Sequence, residues 1–431
     1  MKRLSKAALL LLFLGLAASV YAIEIRFAPP DFQTDYTLPG ERIPAPSAGF
    51  GAWDVLILFA ALSTATWLVL KKRSRRGLFL LSIACMVYFG FWRKGCICPV
   101  GSLQNVAAAI LIPGVGVSAV VVAFFVMPLI FSLFFGRVFC ASVCPLGAIQ
   151  ELVAIRPIKI SSSIERALGL GKYVYLGVAI LGVGTGAGFF VCRYDPFVGL
   201  YRLGHSFNML LAGGVILVLG IFIARPYCRF LCPYGVLLGW MSKFSKWHLD
   251  IAPQGKCVDC RLCESSCPYN AMDMPTPIHL MEKQDTGKKR TQRLVLLVPV
   301  ITGIAAFAGY LLHEPLSRMH PTVQLSERVA AEDLKLIPEQ ILETEHFRAG
   351  SQTTEQLHAE ALALRSQFKA GGALLGAFLG LVVSLKLVGL SVVRKRTVFE
   401  PHRETCFSCG RCYPYCPVEP EGTPNVAQER V

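Results

Sequence analysis

Seven apolar runs of bilayer-spanning or near-spanning length constrain this 431-residue chain more than any other feature: Trp53–Leu70, Gly77–Trp92, Val115–Phe135, Tyr173–Val191, Phe207–Ala224, Leu294–Leu312 and Gly372–Leu390. A hydrocarbon core of about 30 Å takes roughly 20 apolar residues per helix. Lipid offers backbone N–H and C=O groups no outside partner, so spans must be helices. The expected fold is an all-α polytopic membrane protein with about seven transmembrane helices. Gly184 and Gly188 are four residues apart, as are Gly372, Gly376 and Gly380, which predicts close backbone approach. Pro128 and Pro299 should kink their spans, and Lys386, near one end of the last, should snorkel.

The net charge of +15 does not read as nucleic-acid binding, because the basic residues cluster beside apolar runs. Lys71, Lys72, Arg73, Arg75 and Arg76, and Arg394, Lys395 and Arg396, have the form of positive-inside signals. Lys2, Arg3 and Lys6, the apolar stretch Ala7–Ala18 and Val20-Tyr21-Ala22 resemble a secretory signal, with an uncleaved anchor as the alternative. Alternation from an outside start then divides the chain. Residues 1–22 are the signal or anchor, 23–52 an outer segment and 53–240 a membrane domain. Residues 241–293 and 391–431 lie inside, 294–312 and 372–390 span, and 313–371 lie outside. This orientation suits a bacterial-type inner membrane. His313, His320, His346 and His358 of the outer segment read as solvated surface, with partner docking as the sharper alternative.

Sixteen cysteines in a long, apolar chain do not suit a secreted disulfide framework, and fourteen of them fall in short spacings typical of metal ligation. The strongest motif is Cys257-x-x-Cys260-x-x-Cys263-x-x-x-Cys267-Pro268, repeated as Cys406-x-x-Cys409-x-x-Cys412-x-x-x-Cys416-Pro417. This is the bacterial ferredoxin run, in which three thiolates wrap one cubane and the fourth serves the other cluster. The expected ligand sets are Cys257, Cys260, Cys263 with Cys416, and Cys406, Cys409, Cys412 with Cys267. Together they make a small α+β ferredoxin-like unit with two [4Fe–4S] clusters on the inner face. Structural zinc is the alternative, though zinc sites rarely use this spacing. Arg261 and Arg411 lie within the loops, where positive charge favours the reduced cluster.

A second pattern is an internal repeat. Arg93-x-x-Cys96-x-Cys98-Pro99-x-Gly101 ends at Gln104, and Arg137-x-x-Cys140-x-x-x-Cys144-Pro145-x-Gly147 ends at Gln150. The third copy is Arg225-x-x-Cys228-x-x-x-Cys232-Pro233-x-Gly235. If helical, each Cys-x₃-Cys pair shares one face, and Cys140, Cys144, Cys228 and Cys232 then supply four thiolates for a further cluster. A redox-active dithiol and plain structural thiols remain open alternatives. Cys-x-Cys cannot share a helical face, so the first copy should be a loop. Alternation puts Cys96 and Cys98 outside with Cys192, as the start of an outer metal site. A re-entrant Gly77–Trp92 would instead carry Cys96 and Cys98 to the inner set. Cys85 alone reads as a small buried hydrophobe.

These residues resemble the NapH/NosR family of membrane polyferredoxins, in the doubled ferredoxin run and in Cys140/Cys144 and Cys228/Cys232 flanked by Arg, Pro and Gly. The resemblance implies membrane electron transfer, with quinol oxidation or electron delivery to periplasmic reductases, or assistance to metal-centre maturation. It implies redox partner proteins on both faces and leaves quinone open as a partner. No nucleophile–base pair, phosphate loop or paired carboxylate suggests catalysis beyond redox exchange.

Overall fold

A computed structural model describes residues 50–95, 98–202, 204, 207–251, 257–276, 284–337, 341–350, 352–392 and 396–418. The signal or anchor over 1–22, nearly all of the first outer segment, and Cys96 lie outside the described residues. The chain is mainly helical and is a multi-pass membrane protein. The main helices are α1 (Phe50–Leu70), α2 (Arg75–Cys85, continued by a π-helical turn over Met86–Trp92), α3 (Pro99–Leu111), α4 (Ala119–Phe135) and α5 (Pro145–Val153). They continue as α6 (Gly171–Gly184), α7 (Phe207–Phe222), α8 (Pro226–Phe230), α9 (Tyr234–Lys243), α10 (Leu262–Ser266), α11 (Gln284–Leu311) and α12 (Thr354–Ser391).

Five helical stretches among the described residues are long and apolar enough to cross a membrane: Gly51–Leu70, Arg75–Trp92, Ser162–Gly184, Lys289–Leu311 and Thr354–Ser391. Two of the seven expected runs form shorter apolar helices, of 17 residues in α4 and 16 in α7. Each is trimmed by a local conformational demand. α4 follows the glycines Gly114 and Gly116, and α7 ends before Arg225, whose left-handed φ of 52° cannot continue a helix.

The span expected at Tyr173–Val191 ends at Gly184, because Gly186 (φ +75°) and Gly188 (φ +125°) take conformations open chiefly to glycine. Gly188 is therefore a turn residue and not part of a helix-packing stripe. The other stripe does pack. An added Cβ at Gly372 would lie 2.5 Å from the Gly309 carbonyl oxygen, and one at Gly376 would fall on the Ala305 carbonyl, so α11 and α12 touch backbone to backbone. Pro128 and Pro299 lie inside α4 and α11. Lys386 sets its ammonium 5.0 Å from the centre of the Tyr173 ring.

In the segment between α11 and α12, short helices span His313–Ser317, Pro321–Asp333 and Leu342–Ala349. His320 Nδ1 in this segment accepts from the Thr322 N–H, and His358, near the start of α12, pairs with Ser326 Oγ.

The hairpin of α11 and α12 returns the chain to where it left the membrane domain. Strands β1 (Met272–Asp273) and β2 (Glu400–Pro401) pair antiparallel, Met272 opposite Pro401 and Asp273 opposite Glu400. Arg396 and Asp273 add an ion pair at 2.6 Å. Two motifs separated by more than a hundred residues are thereby sewn together.

Candidate iron–sulfur centres

Each ferredoxin loop is shaped by left-handed residues at matching positions. Asp259 (φ 52°) and Arg261 (φ 57°) in the first loop correspond to Ser408 (φ 51°) and Gly410 (φ 67°) in the second. These turns aim successive cysteines at a common centre. Gly410 also has no room for a side chain, since an added Cβ would come within 2.8 Å of the Tyr413 ring. One cavity is lined by Cys257, Cys260, Cys263 and Cys416, with Ile251, Phe399 and Pro417 around them. Cys267 lies within electrostatic reach of Cys406, Cys409 and Cys412. The fold thus brings together three cysteines of each loop with the fourth cysteine of the other.

Burial pushes the Cys406 thiol up to about 12 and raises Cys267 and Cys412 as well, with neighbouring cysteines adding to the effect. Thiols raised in this way are held as thiolates only by a strongly cationic partner. Ser408 N–H donates to Cys406 Sγ at 3.4 Å, one of the contacts that tune a sulfur-ligated cluster. Among the described residues no three His, Cys, Asp or Glu side chains converge tightly enough to hold a single ion. A zinc ion would need its sulfurs about 2.3 Å from one point. Cys257, Cys260, Cys263 and Cys416 border a cavity instead, which fits a group with volume of its own.

The Cys-Pro copies bring a third set of cysteines together. Neither pair lies on one regular helix, in contrast to the expectation from spacing. Cys140 is on a π-helical turn over Phe139–Val143, whereas Cys144 is extended (ψ 118°) and Pro145 opens α5. Cys228 is in α8, and Cys232 precedes Pro233 at the start of α9. The cause is local: a residue before proline is driven out of the helical region, and proline is well placed to start the next helix. Cys140, Cys144, Cys228 and Cys232 nevertheless line one cavity, with Arg137 and Tyr234.

The second and third copies embrace reciprocally. An added Cβ at Gly147 would lie 3.4 Å from Arg225 Nη1, and one at Gly235 would lie 3.2 Å from Arg137 Nη2. The glycine of each copy makes room for the arginine of the other. Gln150 seals the join: its Oε1 accepts from the Tyr227 N–H at 3.0 Å and its Nε2 donates toward Cys228 Sγ at 3.3 Å.

In the first copy, Cys98 is extended at the start of α3 and lies within electrostatic reach of Cys192, Asp195 and Cys144. Cys98 and Cys192 are thus neighbours and Cys98 adjoins Cys144, whereas Cys96, expected with them, lies outside the described residues. An added Cβ at Gly101 would lie 3.2 Å from Cys192 Sγ, so this copy's glycine also makes room for a neighbour. Cys85 is buried in the apolar core.

Sequence reasoning missed Glu151. It is buried and accepts from Arg75, from Arg225 Nε (3.0 Å), from Arg411 Nε (3.0 Å) and from the Tyr269 hydroxyl (2.9 Å). Burial alone would raise its carboxyl, but Arg411, Arg75 and Arg225 outweigh that and hold it well below the usual carboxylate range. Arg411 is therefore ion-paired and not a free charge on its loop. A lone acid beside the repeat, in a basic stretch, was the available signal.

The family described as Fer4_5, a 4Fe-4S binding domain, matches residues 117–163 and 206–251, the stretches that carry Cys140/Cys144 and Cys228/Cys232. Among curated proteins, the chain is 35% identical to Protein NirI of Paracoccus denitrificans over 33% of this chain and 22% of that protein. It is 27% identical to the ferredoxin-type protein NapH of Haemophilus influenzae over 40% of this chain and 58% of NapH. It is 28% identical to the regulatory protein NosR of Stutzerimonas stutzeri over 32% of this chain and 21% of NosR. The matched stretch thus spans less than two thirds of each of these relatives. No solved structure matches. Repeated Cys-Pro motifs among apolar helices, a 4Fe-4S family match across them and these relatives together support a NapH/NosR-type membrane ferredoxin family for this chain.

Proposed function

We propose that this protein carries electrons across the membrane, between inner-face donors or quinol and an outer-face acceptor such as a respiratory reductase. Cys257, Cys260, Cys263 and Cys416 would hold one [4Fe–4S] cluster, and Cys267, Cys406, Cys409 and Cys412 a second. Cys140, Cys144, Cys228 and Cys232 would hold a third. Such clusters supply one-electron redox chemistry at a potential set by charge, hydrogen bonds and exposure. The chain's own residues fix the ligands, exclude water and set that charge. The observation that carries the reading is the succession of cysteine sets: two in the docked loops, a third buried among the helices, then Cys98 and Cys192. The basic clusters flanking the spans support an inner, cytoplasmic placement of the ferredoxin loops.

In proteoliposomes loaded with an outer-side acceptor dye, an inner-side reductant should reduce the dye only when the protein is present. Unchanged dye with all clusters in place would sink the reading. In cells lacking the protein, a partner reductase that is fully metallated but starved of electrons is the expected finding. A partner that lacks its metal would favour the alternative, a maturation factor.

The third centre has its own test. Cys228→Ser should lower iron and acid-labile sulfide by about a third, one cubane of three, and leave the two ferredoxin-type signals in place. Iron and sulfide equal to wild type would remove Cys228 from the ligand set.

A further inference from the structure

Glu151 and its arginines join two of the three centres. Arg75 Nη1 donates to the Cys409 carbonyl at 3.0 Å while its Nη2 reaches Glu151. Arg411, which directly precedes Cys412, also donates to Glu151. On the other side Arg225 donates from Nε to Glu151, from Nη1 to the Cys140 carbonyl and from Nη2 to the Ala141 carbonyl at 3.2 Å. Each centre thus has a ligand carbonyl one guanidinium away from the same carboxylate. Phe407, the residue after Cys406, lies between the halves, with the Arg137 guanidinium 4.4 Å and that of Arg225 5.7 Å from its ring centre. None of Arg75, Arg225, Arg411 or Glu151 lines the cavity of Cys257, Cys260, Cys263 and Cys416.

Three guanidiniums on one carboxylate leave two positive charges in excess. A fixed charge in a dry interior acts at long range, because little solvent screens it. It acts on every centre it adjoins, and positive charge favours the reduced form of a cluster.

We propose that Glu151 is a positioning residue whose charge, with Arg75, Arg225 and Arg411, sets the reduction potentials of the Cys406/Cys409/Cys412/Cys267 and Cys140/Cys144/Cys228/Cys232 centres together. The Cys257/Cys260/Cys263/Cys416 centre stays outside its influence. The inference rests on the proposed cluster assignment. The shared charge keeps the two potentials matched, since any change at Glu151 moves both in one direction.

The test is a redox titration, followed by electron paramagnetic resonance, of the anaerobically purified full chain beside Glu151→Gln and Arg75→Gln. Removing the carboxylate should raise both potentials, so that the reduced-to-oxidised ratio at fixed ambient potential rises about tenfold at each centre, which for one electron is about 59 mV. Arg75→Gln removes a positive charge and should move the Cys406 centre the opposite way by a similar factor, and the Cys140 centre less. The Cys257 centre should change less than about twofold. Unmoved potentials, shifts of one sign in these two variants, or an equal shift at all three centres would overturn the proposal. A merely structural role would lower iron content without opposed shifts. If Glu151→Gln does not fold, Tyr269→Phe carries the test beside Arg75→Gln. It withdraws a hydroxyl from the carboxylate and should lower both potentials, as Arg75→Gln does. This pair is judged by a downward shift at the Cys406 and Cys140 centres with the Cys257 centre unmoved at full iron content. Unmoved potentials or an equal shift at all three centres would overturn the proposal. Iron and sulfide analysis of the wild type separates the failures. Too little iron for a centre at Cys140 sinks the cluster assignment, whereas full occupancy with unmoved potentials sinks only the role of Glu151.

Discussion

Cys416→Ser should abolish the cluster held by Cys257, Cys260 and Cys263 and spare the one held by Cys406, Cys409 and Cys412, although Cys416 belongs to the second motif by sequence. The cavity lined by Cys416 and the first three cysteines is the reason. A cubane deprived of one thiolate is exposed to solvent and readily lost, so electron paramagnetic resonance of the reduced protein should show about half of the ferredoxin-type signal. Cys263→Ser should remove the same signal, and Cys267→Ser the other one. Loss of the second-loop signal in Cys416→Ser would overturn the crossed ligand sets.

Gly376→Leu should have an equally large effect at a site that touches no cluster. Any side chain there falls on the Ala305 carbonyl, and Gly372 and Gly309 are in the same tight register. Overpacking a helix interface with side-chain slack costs about 1–3 kcal/mol. A clash with main chain has no such slack, so α11 and α12 must separate. That hairpin brings residues 396–418 back to residues 257–276, where β1 and β2 pair. The expected result is loss of both ferredoxin-type signals with the Cys140 centre retained. Gly303, also on α11, has open space where a Cβ would sit, and Gly303→Leu should leave every signal intact. Equal iron content in the two variants would show that the hairpin does not control docking.

What could be read in advance follows from the range over which each determinant acts. Spans and ferredoxin loops are local patterns: α1 and α2 lie close to their expected places, and α11 and α12 end close to theirs, though α12 begins well inside the expected outer segment. The crossing of the fourth cysteines was expected from the two copies of the motif, and the fold sets Cys416 beside Cys257, Cys260 and Cys263. Helix ends were less legible. Gly186, Gly188 and Arg225 terminate elements through positive φ, which hydropathy does not register. The Cys-Pro pairs read as helical faces because spacing ignores what proline does to its predecessor. Glu151 was invisible for another reason: its partners come from four separate stretches of sequence, at residues 75, 225, 269 and 411. A buried carboxylate of that kind is created by tertiary contact alone.

The crossed cysteine sets also bear on biosynthesis. Cys257, Cys260 and Cys263 leave the ribosome well before Cys416, so on the proposed ligand sets neither loop can complete its site before Cys416 is made. On the proposed ligand sets, iron insertion into both loops then has to follow entry of the α11–α12 hairpin into the bilayer. A chain released early would carry two half-built sites with reactive thiols, a mark by which proteolysis can tell it from the finished product.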